Sequence, residues 1–499
     1  MAVADGRLAG RPGVVMVSRG PGATNASIAV HTAQQDAVPL ILLIGQIPKR
    51  DLRREAFQEI DYQKLFGPIS KWVVEPTEPE QLAEVAFKAI RMATSGTPGP
   101  VVIVIPEDIQ QQQVDQPVWR APEAVASMPA RGPMEALKSE LAKAQRPLIV
   151  AGGKFDVPGG REALQAFAEA WSIPVALSFR RHDVFDNTHR LYVGELGLAN
   201  PKAQIEAFRS SDLILALGTR MGDITSQGYT FPDLPVPAQS FVHCYPDDHV
   251  VGLHFTPTYG LVCDPVALVK ELTLGAVPSA PAVREAWRQQ LSDLASNHAK
   301  WPQVSAEDGI PFVHVVEAVK RHAPADTVIC LDAGTFAAPV YRHFKFSYPQ
   351  RLMAPLSGAM GYGTPAAIAT QLRQPSSKVV CMVGDGGFLM TGNEMIAAVE
   401  RKLPIVFILS NNRCYASIRI NQEREYPGRH RGTTLFNPDF KALAEAFGVK
   451  SVRLSNPDKV EDVIKQAMDC TEPMFIEVMT SLSSVLPKNG KSFFEKDAA

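Results

Sequence analysis

The stretch Gly384-Asp385-Gly386-Gly387, followed after a helix and a strand by Asn411-Asn412, constrains the fold more than any other feature of this chain. Around it the sequence reads KVVCMVGDGGFLMTGNEMIAAVERKLPIVFILSNN. Residues 378–383 are a short apolar, β-branched run, residues 388–399 have helical spacing, and residues 405–409 form a second apolar run. That pattern predicts two parallel strands joined by a helix, with Asp385 at the carboxyl end of the first and Asn412 at the carboxyl end of the second. Open α/β sheets bind ligands at those ends. Two oxygen ligands on adjacent strand ends, beside glycine amides at a helix start, suit a hard cation bridging to a diphosphate. A Gly-Asp-Gly turn alone is common. Its specificity here comes from the twenty-five residues between Gly386 and Asn412, which one strand–helix–strand unit fills.

At 499 residues the chain is too long for a single core and suggests about three domains. Strands alternate with helical stretches throughout, so the predicted class is α/β with parallel sheets flanked by helices. The first block, residues 1–113, ends in the buried run at 101–105 and Pro106, and residues 114–133 read as a polar, proline-rich linker. A central block follows over 134–275, with a helix at 134–144, a strand at 147–151 running into Gly152-Gly153, and another at 212–217 before Gly218. Residues 276–310 read as a connector, 311–484 as a third block and 485–499 as a tail.

A net charge of −2 gives no electrostatic case for nucleic acid or an anionic membrane, and no apolar run reaches the length of a membrane span. The six cysteines show no C-x-x-C spacing, which fits a reduced, cytoplasmic protein without a zinc site.

With the metal motif placed, the chain resembles the thiamine diphosphate (ThDP) enzymes of the acetolactate synthase-like branch, over nearly all of residues 1–485. The resemblance implies ThDP-binding folds in the first and third domains and a Rossmann-like middle domain. The turn Ser18 to Asn25 is similar to the family's GPGATN turn, in which Pro21 and Asn25 sit where the cofactor is contacted. Ala56-Phe57-Gln58-Glu59 is similar to its AFQE segment, so Gln58 is expected to approach the reacting centre and Phe57 to line the substrate pocket. Gly358 to Gly363 matches G-x-M-G-x-G. There the Gly358 carbonyl would bind the 4′-amino group of the pyrimidine and Met360 would wedge beneath the cofactor. The resemblance makes Asp385, Asn412 and the backbone carbonyl of Cys414 ligands of Mg²⁺, with the amides of Gly386 and Gly387 toward the diphosphate. Lys71 falls in a matching segment near the site entrance, for which a solvated surface lysine is the alternative.

The family also uses a glutamate that hydrogen-bonds the pyrimidine and activates C2 of the thiazolium. The chain begins at Met1-Ala2 inside that motif, so the glutamate is expected a few residues before Met1, and neither Asp5 nor Glu59 occupies its position. A shortened gene reading is preferred over a true truncation, because everything downstream is intact. The initial strands of the first sheet are expected to be missing too.

Other departures bear on substrate. Asn421 stands where acetolactate synthases carry a tryptophan, and Glu107 where they carry a lysine. Whether FAD is bound stays open. Thr97 replaces an arginine that contacts it and the pattern near Asp247 is altered, while Gly152-Gly153 and Gly218-Thr219-Arg220 keep the general form. Residues 417–440 are expected to form a lid, whose Arg419, Arg424, Arg429 and Arg431 can steer a carboxylate or simply be solvated.

The resemblance thus implies ThDP- and Mg²⁺-dependent decarboxylation of a 2-oxo acid with transfer to an acceptor carbonyl, in a homodimer or homotetramer. A simple 2-oxo acid decarboxylase and a silent cofactor-binding subunit are the alternatives.

Overall fold

Sixteen strands, all paired in parallel, make three sheets in the computed structural model, which describes residues 1–117, 120, 127–275 and 277–487. Parts of the expected linker (118–119 and 121–126) and most of the expected tail (488–499) lie outside the described residues. The first sheet holds β1 (Gly13–Val17), β2 (Leu40–Gln46), β3 (Trp72–Val74) and β4 (Pro100–Pro106) in the order β1-β2-β4-β3. The second holds β5 (Pro147–Ala151), β6 (Val175–Leu177), β7 (Tyr192–Glu195), β8 (Leu213–Leu217), β9 (Ser240–Cys244) and β10 (Tyr259–Leu261), ordered β10-β9-β8-β5-β6-β7. The third holds β11 (Val328–Leu331), β12 (Arg351–Met353), β13 (Val379–Gly384), β14 (Val406–Asn411), β15 (Lys450–Leu454) and β16 (Met474–Met479), ordered β12-β11-β13-β14-β16-β15.

Burial explains these elements. Every residue of β5, β8, β11 and β14 is buried, as expected of central parallel strands covered by helices on both faces. Their continuous Val, Ile and Leu runs carry no polar face, and each fully buried side chain adds roughly 1.5–3 kcal/mol to folding. Around them pack helices with one apolar stripe, such as Phe312–His322 and Val460–Met468, which contribute Val315, Val316, Val319 and Ile464 to the core of the third sheet. In the third sheet the chain first steps outward from β11 to β12, then returns to the other side of β11 with β13. The gap beyond the carboxyl ends of β11 and β13 is therefore a topological switch point, where the backbone diverges and leaves room.

The chain divides into two compact units, one of residues 1–125, 355–359 and 365–375 and the other of 126–354, 360–364 and 376–499. In the first, β1 is an edge strand with Val14 and Met16 exposed. The second unit contains both six-stranded sheets.

Residues 276–310 are expected as a connector, and residue 276 lies outside the described residues; the described part, 277–310, is not all irregular. It includes a helix, Val283–His298, whose Trp287 and Leu291 lie in the core of the central sheet, and Trp287 Nε1 donates to the Pro147 carbonyl at 2.9 Å. Arg284 is buried with them, donating to the Ala144 and Trp171 carbonyls at 2.9 and 2.6 Å, and the few apolar positions do not dominate the composition.

A buried ion cluster joins the second and third sheets within the second unit. Arg351, which opens β12, donates to Asp183 at 3.0 Å and Asp156 at 2.6 Å, and Arg161 meets the same two carboxylates at 3.3 and 2.7 Å. No side chain of the four is more than 13% exposed. Removing one cation from such a set strands a buried charge. Arg351→Ala is thus expected to destabilise the second unit by about 3–5 kcal/mol. Urea unfolding followed by fluorescence checks this, and an unchanged midpoint contradicts it.

Candidate functional site

The residues singled out in the sequence fall into two groups, one in each unit. In the first unit the Ser18–Asn25 turn and the 56–59 segment come together. Gly20 has φ 59°, and a Cβ on it would lie 2.7 Å from the Cβ of Gln58, so this position admits only glycine. The Gly20 amide donates to the Tyr62 hydroxyl at 2.9 Å. Pro21 and Asn25 are exposed on the short helix that follows.

Across from them the chain is strained. Arg53, Glu55 and Gln58 have φ of 64°, 56° and 63°, each a left-handed conformation that costs a non-glycine residue on the order of 1 kcal/mol. Glu59 holds this loop, its carboxylate accepting the amides of Arg53 at 2.5 Å and Ala56 at 3.1 Å. Those amides keep Glu59 below its ordinary pKa range against the opposing effect of burial. The loop presents Phe57 79% exposed and half-buries Gln58 against Gly20. Gly358, with φ 68°, belongs to this unit too, and its neighbour Ser357 donates from its amide to Asp36 at 3.1 Å. Lys71 spends its ammonium on the Ser95 and Thr97 carbonyls at 2.6 and 2.8 Å, which suits a structural tie.

The second group surrounds the ends of β13 and β14. Gly384 pairs with Ser410, which sets Asp385 level with Asn411 and leaves Asn412 one residue beyond the sheet. Asp385 is 3% exposed, and its carboxylate accepts from the amides of Gly386 at 2.9 Å and Arg413 at 2.7 Å and from Asn437 Nδ2 at 2.8 Å. Burial raises its pKa while these donors oppose the rise. Asn411 is buried and committed, donating to Glu477 at 2.8 Å and accepting from Asn437 at 2.9 Å. Asn412 is the half-exposed one, its side-chain oxygen accepting the Cys414 amide at 3.0 Å. The Cys414 carbonyl accepts the Ala416 amide at 2.8 Å and retains its second lone pair. A cavity of about 40 Å³ opens beside Asn412, lined by Ser410, Thr335, Phe336, Arg342 and His343 among others. Burial pushes His343 down to about 4.

This donor set fits a magnesium–diphosphate group. Asp385 is a buried carboxylate whose hydrogen-bond donors among the described residues are all uncharged, beside an amide oxygen and a carbonyl, and the buried oxygen of Asn437 next to it has no partner among the described residues. A hard cation supplies what such a group lacks. The glycines have a steric reason as well, since a Cβ at Gly386 would meet the Tyr415 ring at 2.4 Å and the Met360 methyl at 3.3 Å.

Of the four lid arginines, Arg419 is turned inward. It is 7% exposed and donates to Thr433 at 2.7 Å and Thr434 at 3.1 Å, pinning its own loop rather than facing a substrate. Arg424, Arg429 and Arg431 lie at the surface. Sequence reasoning missed Asp332, which follows β11, and Tyr62; a lone aspartate after a strand and before Gly334 was the available signal for the first.

Three family models match the chain: the thiamine pyrophosphate enzyme N-terminal TPP binding domain over residues 1–65, the central domain over 134–272, and the C-terminal TPP binding domain over 332–478. Among curated proteins it is similar to the acetolactate synthase large subunit of Lactococcus lactis, at 30% identity over 96% of this chain and 83% of that protein. It is 29% identical to the acetolactate synthase isozyme 2 large subunit of Escherichia coli, over 97% of this chain and 87% of that protein. It is also 29% identical to a probable acetolactate synthase large subunit of Methanocaldococcus jannaschii, over 97% of this chain and 84% of that protein.

The strained loop is held by Glu59 and carries Arg53 and Arg54, both exposed. In Glu59→Ala, limited trypsin digestion is expected to cut after these arginines several-fold faster than in the parent, because local opening no longer has to break the carboxylate contacts. Equal cleavage rates would show that the carboxylate does not hold the loop.

Proposed function

The chain belongs to the thiamine pyrophosphate enzymes and is an acetolactate synthase-like, ThDP-dependent enzyme, and on that premise we propose that it decarboxylates a 2-oxo acid with Mg²⁺ as second cofactor and joins the remaining fragment to an acceptor carbonyl. ThDP, when bound, supplies the electron sink for loss of CO₂. The protein supplies geometry and electrostatics. Asp385, the side chain of Asn412 and the carbonyl of Cys414 would hold Mg²⁺, and the amides of Gly386 and Gly387 would meet the diphosphate. When ThDP is bound, Met360 would wedge beneath it and the Gly358 carbonyl would receive its 4′-amino group, as the family resemblance implies. Pro21 and Asn25 would contact the cofactor, as the family resemblance implies. Gln58 would approach the reacting centre, and Phe57 would line the substrate pocket.

The observation that carries this reading is the Asp385 carboxylate, buried at the end of β13 with only uncharged donors around it. The relatives' names specify acetolactate synthase, so a pyruvate-like 2-oxo acid is the proposed substrate. We read the three blocks 1–113, 134–275 and 311–484 as the three family domains. The assembly is proposed as a homodimer or homotetramer, closed symmetric forms being the usual state of soluble oligomers.

Removing Asp385 takes the only carboxylate out of the proposed ligand set. Asp385→Ala is expected to abolish Mg²⁺-dependent ThDP binding in a fluorescence titration, and retained binding with the parent's Mg²⁺ dependence would sink the assignment. Product analysis with pyruvate is expected to give a C–C coupled hydroxy keto acid. An aldehyde as sole product would replace carboligation with simple decarboxylation, and no product from a ThDP-loaded protein would replace both with a silent binding role.

A further inference from the structure

Asp332 takes no part in the reading above, yet it occupies the switch point of the third sheet. It follows β11, its amide donates to the Met382 carbonyl of β13 at 3.0 Å, and it is fully buried. Its carboxylate accepts four contacts from backbone amides. Oδ1 takes Ala333 at 2.6 Å and Gly361 at 2.9 Å, and Oδ2 takes Gly361 at 2.9 Å and Gly363 at 3.4 Å. Three of the four come from the loop 360–363, some thirty residues further along the chain. On its other side the carboxylate presses on the helix that starts at Asp385, where a Cβ at Gly387 would lie 2.9 Å from Oδ2. A Cβ at Gly363 would lie 3.1 Å from the Asp332 Cβ. A second tie, Thr391 Oγ1 to the Gly361 carbonyl at 2.9 Å, fastens the same loop to the far end of that helix.

We propose that Asp332 is a positioning residue that clamps the 360–363 loop onto the glycine helix, and so fixes Met360 relative to the diphosphate site. The inference rests on the ThDP reading for the ligand, and on the hydrogen bonds alone for the clamp. Met360 faces the start of the helix, its methyl carbon standing 3.3 Å from where a Gly386 Cβ would be, while Gly361 lies against its end at Met390 and Thr391. A thioether has three rotatable bonds and cannot hold a bent ligand unless its backbone is fixed. The carboxylate provides that fixation, because it can accept from two diverging amides at once, and an amide side chain in its place would turn an NH₂ group toward a backbone N–H. Burial pushes the carboxyl up to about 6, so its charge at neutral pH is held against a desolvation penalty.

The test uses the full chain and Asp332→Asn, with Thr391→Val as a second variant that loosens the same loop and leaves the carboxylate in place. Hydrogen exchange in the absence of cofactor reads the clamp. The amides of Gly361 and Gly363 are expected to exchange about tenfold or more faster in Asp332→Asn, with β13 unchanged, and to a smaller extent in Thr391→Val. With ThDP and Mg²⁺, both variants are expected to keep the affinity within a few-fold, since the ligands near Asp385 are intact. They lose the near-ultraviolet dichroism of the bound cofactor, and kcat falls by up to ~100-fold with KM little changed, the effect of a small misplacement. Parent-like exchange at Gly361 in both variants overturns the clamp. Faster exchange with parent dichroism and kcat overturns its role in placing the cofactor. A parent protein that binds no ThDP overturns the cofactor reading instead, while the exchange result stands on its own. If Asp332→Asn does not fold, Thr391→Val decides by the same readouts.

Discussion

Asp332 and Asp385 leave the ends of adjacent strands, β11 and β13, each buried and each hydrogen-bonded only to uncharged N–H groups. The desolvation of these two carboxylates is the constraint around which the third sheet is arranged. Lifting Asp332 from 3.8 to about 6 corresponds to on the order of 3 kcal/mol of disfavoured charge. Its sign is adverse at neutral pH. Between these two values the folded chain binds a proton that the unfolded chain has released, so stability falls as pH rises through that window. A fold that retains such a cost gains something from it. At Asp332 the carboxylate takes the amides of the 360–363 loop, and at Asp385 it is held by uncharged donors alone among the described residues.

The neighbourhood then follows. Asn411 is drawn into the sheet by Glu477 and Asn437, and Arg453 neutralises Glu477 at 2.8 Å from outside. Asn412, one residue later, is left half-exposed beyond the end of the sheet. In the first unit the same economy of space operates through Gly20, whose missing Cβ admits Gln58. The three left-handed residues around Gln58 are maintained by Glu59, so a strained loop presents Phe57 to solvent.

The α/β class, the parallel sheets and the positions of Asp385 and Asn412 were legible because they are local: apolar runs, a glycine turn and a spacing that a single strand–helix–strand unit must satisfy. The observed β13 and β14 lie within one or two residues of the runs at 378–383 and 405–409. What escaped was long-range. Asp332 acts on Gly361, so nothing beside it in sequence marks it. Arg419 was open to a steering role until its guanidinium was found on Thr433 and Thr434, partners that lie across a loop. Residues 276–310 read as a connector because polar residues, alanine and proline fill most of their positions, while Trp287 and Leu291, which pack in the core, recur at helical spacing. The cluster of Arg161, Arg351, Asp156 and Asp183 was likewise invisible, since its members come from separate segments of the chain.

Equilibrium titration of the full chain with ThDP, by calorimetry in the presence of Mg²⁺ and again with excess EDTA, tests the central claim most directly. If the buried Asp385 carboxylate and its neighbours form a cation-bridged diphosphate site, binding saturates in the micromolar range with Mg²⁺ and is lost in EDTA. Saturable binding that EDTA leaves unchanged, or no binding at millimolar ThDP with Mg²⁺ present, would contradict it.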